Sequence, residues 1–387
     1  MRIIIPVLLI FLTIPNRADA QDLNHINFSV APALDWSNLF YRSSGWFGGD
    51  GIYTIPLNGI ESSGSNSKKT LLLFSDTMIG QIDQGKLQDD ANMIHNSIAI
   101  LEGDQPNPDH LRFQWKAESG KPQSVFQPNT PATRKDDYYW LGDGFVNPDV
   151  GNDLFIFGYR VRNTGAAVFG FEEVGNTLIK IKHDEAPPFE QYLQKDTPFF
   201  LNKPNGEKGS FGAGIFSNTK KAGASKPDGY IYTYGVLGQD KKLLVSRVSA
   251  KDFENYSKWT YWDGQHWTKD IMRSAAVADK VSNELSLSEL PDGRYVLIFQ
   301  ENGIGRNICM RLGKSPSGPF GPIIKLWDTS EALALKGFYS YNAKAHPSLS
   351  RKGELLISYN VNSFNFMADL KSHPNLYRPR FIKVTFK

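Results

Sequence analysis

Three carboxylates sit where short strand-like runs begin. Asp50 stands in Gly49-Asp50-Gly51, and Asp143 in Gly142-Asp143-Gly144. Glu284 follows Ser282-Asn283 and heads the alternating run Glu284–Leu290. Neighbouring strands joined by a polar loop usually pair antiparallel, so the start of one lies beside the end of the next. By that argument Asp50 shares a rim with Asp76, which ends the apolar run from Leu71 to Phe74. Carboxylates crowded together push some of their pKa values up, and an acid/base pair needs that separation. Glycoside hydrolysis asks for such a pair: one carboxyl group protonates the leaving oxygen, and the other activates water or attacks directly.

Equivalent places along the chain bring His95 and Asn96, Arg160, Arg306 and His346 to the same rim, and Arg42 reaches it from the lead-in. Trp46 and Trp140, close to Asp50 and Asp143, offer ring faces on which a sugar stacks. Each choice competes with a plainer one. Asp76 can cap a turn, Asp143 can be a turn residue, His346 before Pro347 can be packed, and Arg160 can be a surface charge. Asp50 and Glu284 have the least evident structural task. His95, His346 and the aspartates lack the ligand spacing that marks a particular metal. No cofactor is therefore expected, with a structural Ca²⁺ in a central channel left open.

The elements that position these residues are short strands punctuated by turns. One unit runs through Asp50–Leu57, Thr70–Phe74, His95–Leu101 and Leu111–Lys116. A second uses Tyr138–Val146, Asp153–Arg160 and Thr177–Lys182. A third uses Phe211–Phe216, Tyr230–Tyr234, Leu243–Val248 and Trp259–Trp262. A fourth uses Glu284–Leu290, Arg294–Gln300, Arg306–Leu312 and Ile323–Trp327, and a fifth Ala343–Ser350, Glu354–Tyr359 and Arg380–Phe386. Five units of ~40–70 residues match the size of propeller blades. The expectation is an all-β chain folded as a single five-bladed β-propeller over residues 21–387, closed by Arg380–Phe386.

Arg2, the apolar run Ile3–Ile14 and Ala18-Asp19-Ala20 read as a signal peptide over residues 1–20. The run is short of the roughly 20 apolar residues that span a bilayer. A secreted or periplasmic protein, free of the membrane after cleavage and monomeric, is expected. Losing Arg2, Arg17 and Asp19 lowers the formal charge from +3 to +2, which argues against nucleic acid as a partner. The lone Cys309 excludes an internal disulfide and a cysteine-rich zinc site. The 8 Trp, 16 Tyr and 25 Phe supply a large core and favour a carbohydrate substrate.

The order Asp, Asp, Glu on successive inner strands resembles the five-bladed β-propeller glycoside hydrolases, the arabinanase/xylosidase and invertase-like groups. The opening Gly45-Trp46-Phe47-Gly48-Gly49-Asp50-Gly51-Ile52-Tyr53 with Leu73-Phe74-Ser75-Asp76-Thr77 is similar to secreted bacterial proteins of the DUF4185/DUF5005 kind. The resemblance implies Asp50 as base or nucleophile, Asp143 as the group that tunes it, and Glu284 as general acid. The third unit opens with Phe211-Gly212-Ala213 and brings no acid, and the invertase-type Asn-Asp-Pro-Asn signature is absent. Two other functions compete with hydrolysis. A sugar-binding propeller without catalysis needs the aromatic residues but not three aligned acids. A glycoside phosphorylase would hold phosphate with Arg160, Arg306, Lys344 and His346. The leader pattern carries its own test: N-terminal sequencing of protein from the native host should start at Gln21, and an intact Met1 on cytoplasmic protein rejects export.

Overall fold

The computed structural model describes residues 21–165, 170–333 and 335–387. The expected leader, residues 1–20, lies outside them. Over the described residues the chain is all-β, with antiparallel sheets and two short α-helices, Leu34–Asn38 and Phe366–Ser372. None of the described helices is long and apolar enough to cross a membrane.

From the middle of the molecule outward, one sheet runs Tyr53–Pro56, Lys69–Phe74, Ser97–Glu102, Leu111–Gln114. The next runs Tyr138–Asn147, Asp153–Asn163, Phe171–Ile181, Leu193–Asp196. A six-stranded sheet follows, in which Lys208–Asn218 pairs on one side with Phe200–Asn202 and on the other with Tyr230–Leu237. A fourth runs Leu285–Glu289, Tyr295–Gln300, Asn307–Gly313, Ile324–Asp328. A further sheet runs Phe338–Ala345, Glu354–Ser363, Arg380–Phe386 and ends on Phe28–Pro32. Side chains alternate across each strand, so the sheets bury apolar faces against one another. Phe155, Phe157, Phe199 and Phe211 fill one such layer, and Leu285, Leu297 and Phe299 another.

The first strands of successive sheets pack side by side. At Gly144 an added Cβ would meet Phe155 O at 2.5 Å and Ile55 Cδ1 at 2.7 Å, so the glycine lets the first two sheets touch. Three of these strands carry an irregularity at the same place: between Leu141 and Gly144, between Phe211 and Gly214, and between Tyr341 and Lys344. A bulge leaves residues unpaired and re-aims their side chains. Asp143 and Asn342 are on such bulges.

Three sequence expectations need correction. The strand expected at Asp50–Leu57 is Tyr53–Pro56, and the residues before it belong to another sheet. Ser44–Gly49 pairs with Thr77–Asp83 in a separate sheet, and Tyr53–Pro56 pairs with Lys69–Phe74. Gly51, at φ +65°, makes the corner, which a side chain at that position would strain. The strand placed at Ala343–Ser350 is Phe338–Ala345, and Pro347–Leu349 is a 3₁₀ turn, because Pro347 offers no N–H to a ladder. Arg380–Phe386 does not close its sheet. Phe28–Pro32 from the lead-in pairs outside it, with Phe28 opposite Phe386.

The tight approach at Gly144 is testable. Gly144→Ala should lower stability by about 1–3 kcal/mol through overpacking, read as a reduced denaturant midpoint with unchanged slope. An unaltered midpoint would show that the two sheets have room to part there.

Candidate functional site

The site is built on a corner. The ribbon formed by residues 44–56 and 69–83 bends where it passes from one sheet to the other. On one leg the bend falls at Asp50 and on the other at Asp76. Asp50 N donates to Asp76 O at 3.2 Å, and Ser75 N donates to Asp50 O at 2.8 Å. Ser75 Oγ accepts from Leu141 N at 2.9 Å, tying the corner to the second sheet. Two carboxylates thus stand side by side at a kink.

Asp50 Oδ2 accepts from Tyr341 Oη at 2.7 Å. Tyr377 lies beside Asp50 and favours its charged form. It arrives on the loop after the C-terminal helix, whose Tyr377 O accepts from Gly49 N at 2.9 Å. Burial, and then the negative charges of Asp76 and Glu284, push the Asp50 carboxyl up to about 8; the two tyrosines pull the other way. Asp76 Oδ1 is 2.9 Å from His95 Nδ1 and accepts from Trp140 Nε1 at 3.0 Å. The His95 ring stacks on Tyr138 at 3.6 Å.

Glu284 is buried at the head of the fourth sheet. Its Oε1 accepts from Asn342 Nδ2 at 2.8 Å, and its Oε2 lies 2.5 Å from Lys344 Nζ. The Lys344 side chain is 1 % exposed. Its ammonium also donates to Asn342 O at 3.1 Å and sits 4.6 Å from the centre of the Tyr53 ring. Burial raises the Glu284 carboxyl above its usual range, and Lys344 opposes that rise. Asp143 accepts through Oδ2 from Ile215 N at 2.7 Å, across to the third sheet, and through Oδ1 from Gly144 N at 2.8 Å. Burial brings Asp143 to about 7 against these bonds and the Lys344 charge, with Glu284 adding to the rise.

Asp50, Asp76, Asp143 and Glu284 are therefore one electrostatic group drawn from three sheets. His95 and Trp140 adjoin it through Asp76. The other sequence candidates are placed elsewhere or buried. Trp46 is 1 % exposed and stacks on Phe113 at 4.3 Å inside an aromatic cluster. Arg42 lies over the same Phe113, on the outermost strand of its sheet. Asn96 is fully buried and its amide bridges Phe126 and Tyr139 backbone. Arg160 is buried against Asp196 at 2.5 Å and Thr130 at 3.2 Å. Arg306 pairs on the surface with Asp328 at 2.9 Å. His346 is 1 % exposed between Thr54 and Ser358, and burial drives it down to about 3, so it is neutral. The imidazole is thus held between two hydroxyls, and the guanidinium is paired with a carboxylate.

Sequence reading missed Tyr53, Tyr341 and Tyr377 around the acids, and also Glu173 and Glu61. Glu173, pushed to about 8 by burial, has an oxygen without a hydrogen-bond partner beside Tyr159. Glu61 is raised by burial and by Asp143. Tyr53 lies within the opening motif, and Tyr341 two residues from Tyr339 before a strand. Tyr377 carries no local signal. A cavity of about 550 Å³, with both polar and apolar walls, continues from Asp143 and Lys344 along Leu285–Glu289, with Tyr53, Thr54 and Glu61 in its wall. Among the described residues no three His, Cys, Asp or Glu side chains converge with metal-binding geometry.

An all-β fold whose sheets bring four carboxylates, tyrosines and a buried lysine to one rim defines a carboxylate-centred protein of layered sheets. The family is given by the sequence itself: a family described as DUF5005, a domain of unknown function, matches residues 33–386, and the chain belongs to it. A Bacteroides ovatus ATCC 8483 protein named only provisionally as a hydrolase has a similar structure. Its TM-score is 0.72 at 21% identity, over 96% of this chain and 93% of that one. A looser overlap is found with an α-L-arabinofuranosidase from Clostridium thermocellum ATCC 27405, TM-score 0.46, 12% identity, over 85% and 88% of the chains. An exo-β-1,3-galactanase from Phanerochaete chrysosporium overlaps at TM-score 0.45 and 11% identity, over 88% of this chain and 60% of the other. No curated protein matches the sequence.

The raised Asp50 carboxyl carries a stability cost with a definite sign. Between the unfolded value near 3.8 and the folded value of about 8, the folded state binds the proton and the unfolded state does not, so stability falls as pH rises. Asp50→Asn should therefore raise the Tm at pH 7 by about 2 °C or more and leave it unchanged near pH 3.5, measured by calorimetry at both values. An equal shift at both would place the gain in packing.

Proposed function

We propose that this protein is an exported glycoside hydrolase working on a carbohydrate substrate, with a five-bladed β-propeller scaffold, and that the rim formed by Asp50, Asp143 and Glu284 is its active site. The observation that carries the reading is the convergence of these carboxylates from three sheets, with their charges coupled. A structural role needs no such crowding. Glycosidic cleavage needs a protonated and a charged carboxyl group together.

The surroundings distribute the roles. Asp50 has two carboxylates as neighbours, Asp76 and Glu284, and retains its proton to about 8. It is the proton donor to the leaving oxygen. Glu284 is held against the ammonium of Lys344 at 2.5 Å, which favours its charged form. It is the base or nucleophile at the anomeric carbon. Asp143, within the fields of Lys344 and Glu284, tunes the pair. This division reverses the one implied by the family resemblance, and the reason is the buried lysine. His95 and Trp140, fixed on Asp76, border the substrate.

The test is a leaving-group comparison. Asp50→Asn should slow the natural polysaccharide by roughly 10²–10⁴-fold and largely spare aryl glycosides whose leaving group needs no proton. Glu284→Gln should abolish both, because no group then attacks or activates water. The converse pattern restores Glu284 as acid. Turnover that survives both substitutions removes the rim from the chemistry, and phosphate-dependent turnover by the wild type would favour the phosphorylase reading.

A further inference from the structure

Phe171, Ile304, Phe364 and Met367, four exposed apolar residues, lie near the carboxylates. Tyr341, which donates to Asp50 at 2.7 Å, has its ring 5.5 Å from Tyr339. Tyr339 lies 4.7 Å from the ring of Phe364, which is 56% exposed. Met367, on the helix that follows, is 50% exposed, and Ile304, bridged to Tyr341 through the backbone, is 44% exposed. On the other side of the Asp50–Asp76 corner, Tyr138, Trp140 and Phe171 form a second aromatic row, with Trp140 and Phe171 rings 4.6 Å apart. Tyr339 comes from the sheet that precedes the corner in the packing order and Trp140 from the sheet that follows it. The acids are therefore flanked on both sides by rings.

We infer that Tyr339 and Phe364 form a sugar-binding platform continuous with Asp50, and that the substrate is a neutral polysaccharide chain long enough to cover the acids and this platform together. The inference rests on the glycosidase reading and adds the class of substrate to it. Three features favour this occupant. Ring faces bind the apolar faces of sugars and keep their edges free for hydrogen bonds. Solvent-exposed apolar side chains clustered at one rim mark a binding surface more often than scattered ones do. An anionic chain would meet the field of Asp76, Asp143 and Glu284 at close range, where repulsion is weakly screened.

The experiment uses the full mature chain, Phe364→Ala, Tyr339→Ala and, as a conservative control, Phe364→Tyr. Binding is read as retardation in native gels containing arabinan, xylan, β-1,3-galactan or polygalacturonate, and turnover is measured on the same polymers and on aryl monosaccharides. At least one neutral polymer should retard the wild type, with polygalacturonate ineffective. Phe364→Ala should weaken that retardation roughly three- to tenfold. The ratio of polymer to aryl-glycoside kcat/KM should fall by a similar factor, and Phe364→Tyr should restore both. Unfolding of Tyr339→Ala, detected by circular dichroism, leaves the exposed Phe364 to decide. Retardation equal in Phe364→Ala and wild type, no retardation by any polymer, or equal retardation by polygalacturonate overturns the platform. A wild type that hydrolyses nothing but is retarded through Phe364 keeps the platform and removes the hydrolase reading.

Discussion

Like charges brought together from distant parts of the chain are the constraint on which this structure turns. The charges of Asp76 and Glu284 raise the proton affinity of Asp50, and that of Glu284 raises Asp143, in a place where burial already disfavours charge. Lys344 is the counterweight. Its ammonium contacts Glu284, acts on Asp143 and rests on the face of Tyr53. A buried ammonium is costly unless it is paired, so the lysine and the acids hold one another in place. The same arrangement separates the carboxyl groups by proton affinity, which is what acid/base chemistry requires.

The backbone makes that arrangement through departures from regular strand pairing. Asp50 and Asp76 occupy a corner where a ribbon changes sheets, and Asp143 and Asn342 occupy bulges on first strands. A regular ladder would alternate these side chains between the two faces of a sheet. Each irregularity instead points polar groups along the line where the sheets meet. Small residues make the meeting close: the Gly144 position contacts Ile55 and the Phe155 backbone. Stability is thereby spent at the rim and recovered in the aromatic and aliphatic layers between the sheets.

Several polar residues that share sequence positions with the site do the opposite work. Asn96, Arg160 and His346 are buried, and each ties two or more elements together. A buried polar side chain that is hydrogen-bonded across elements fixes their relative geometry. The polar residues around the rim thus fall into two sets, one bound to the protein's own groups and one of crowded carboxylates. From strand position alone the two sets are indistinguishable.

Local sequence chemistry was enough for the all-β class, most strand ranges and the carboxylates of the two Gly-Asp-Gly segments. Alternation buries one face of a strand, and glycine permits both the corner at Asp50 and the close packing beside Asp143. Tertiary structure decided the rest. It placed Trp46 in the core by packing it on Phe113 and joined Phe28–Pro32 to the last strand. It carried Tyr377 from a C-terminal loop onto Asp50 and set Lys344 against Glu284. These are contacts between residues tens to hundreds of positions apart, and no local pattern encodes which side chains the sheets will bring face to face. Proton affinity depends on those faces, so the acids were legible in the sequence and their electrostatic roles were not.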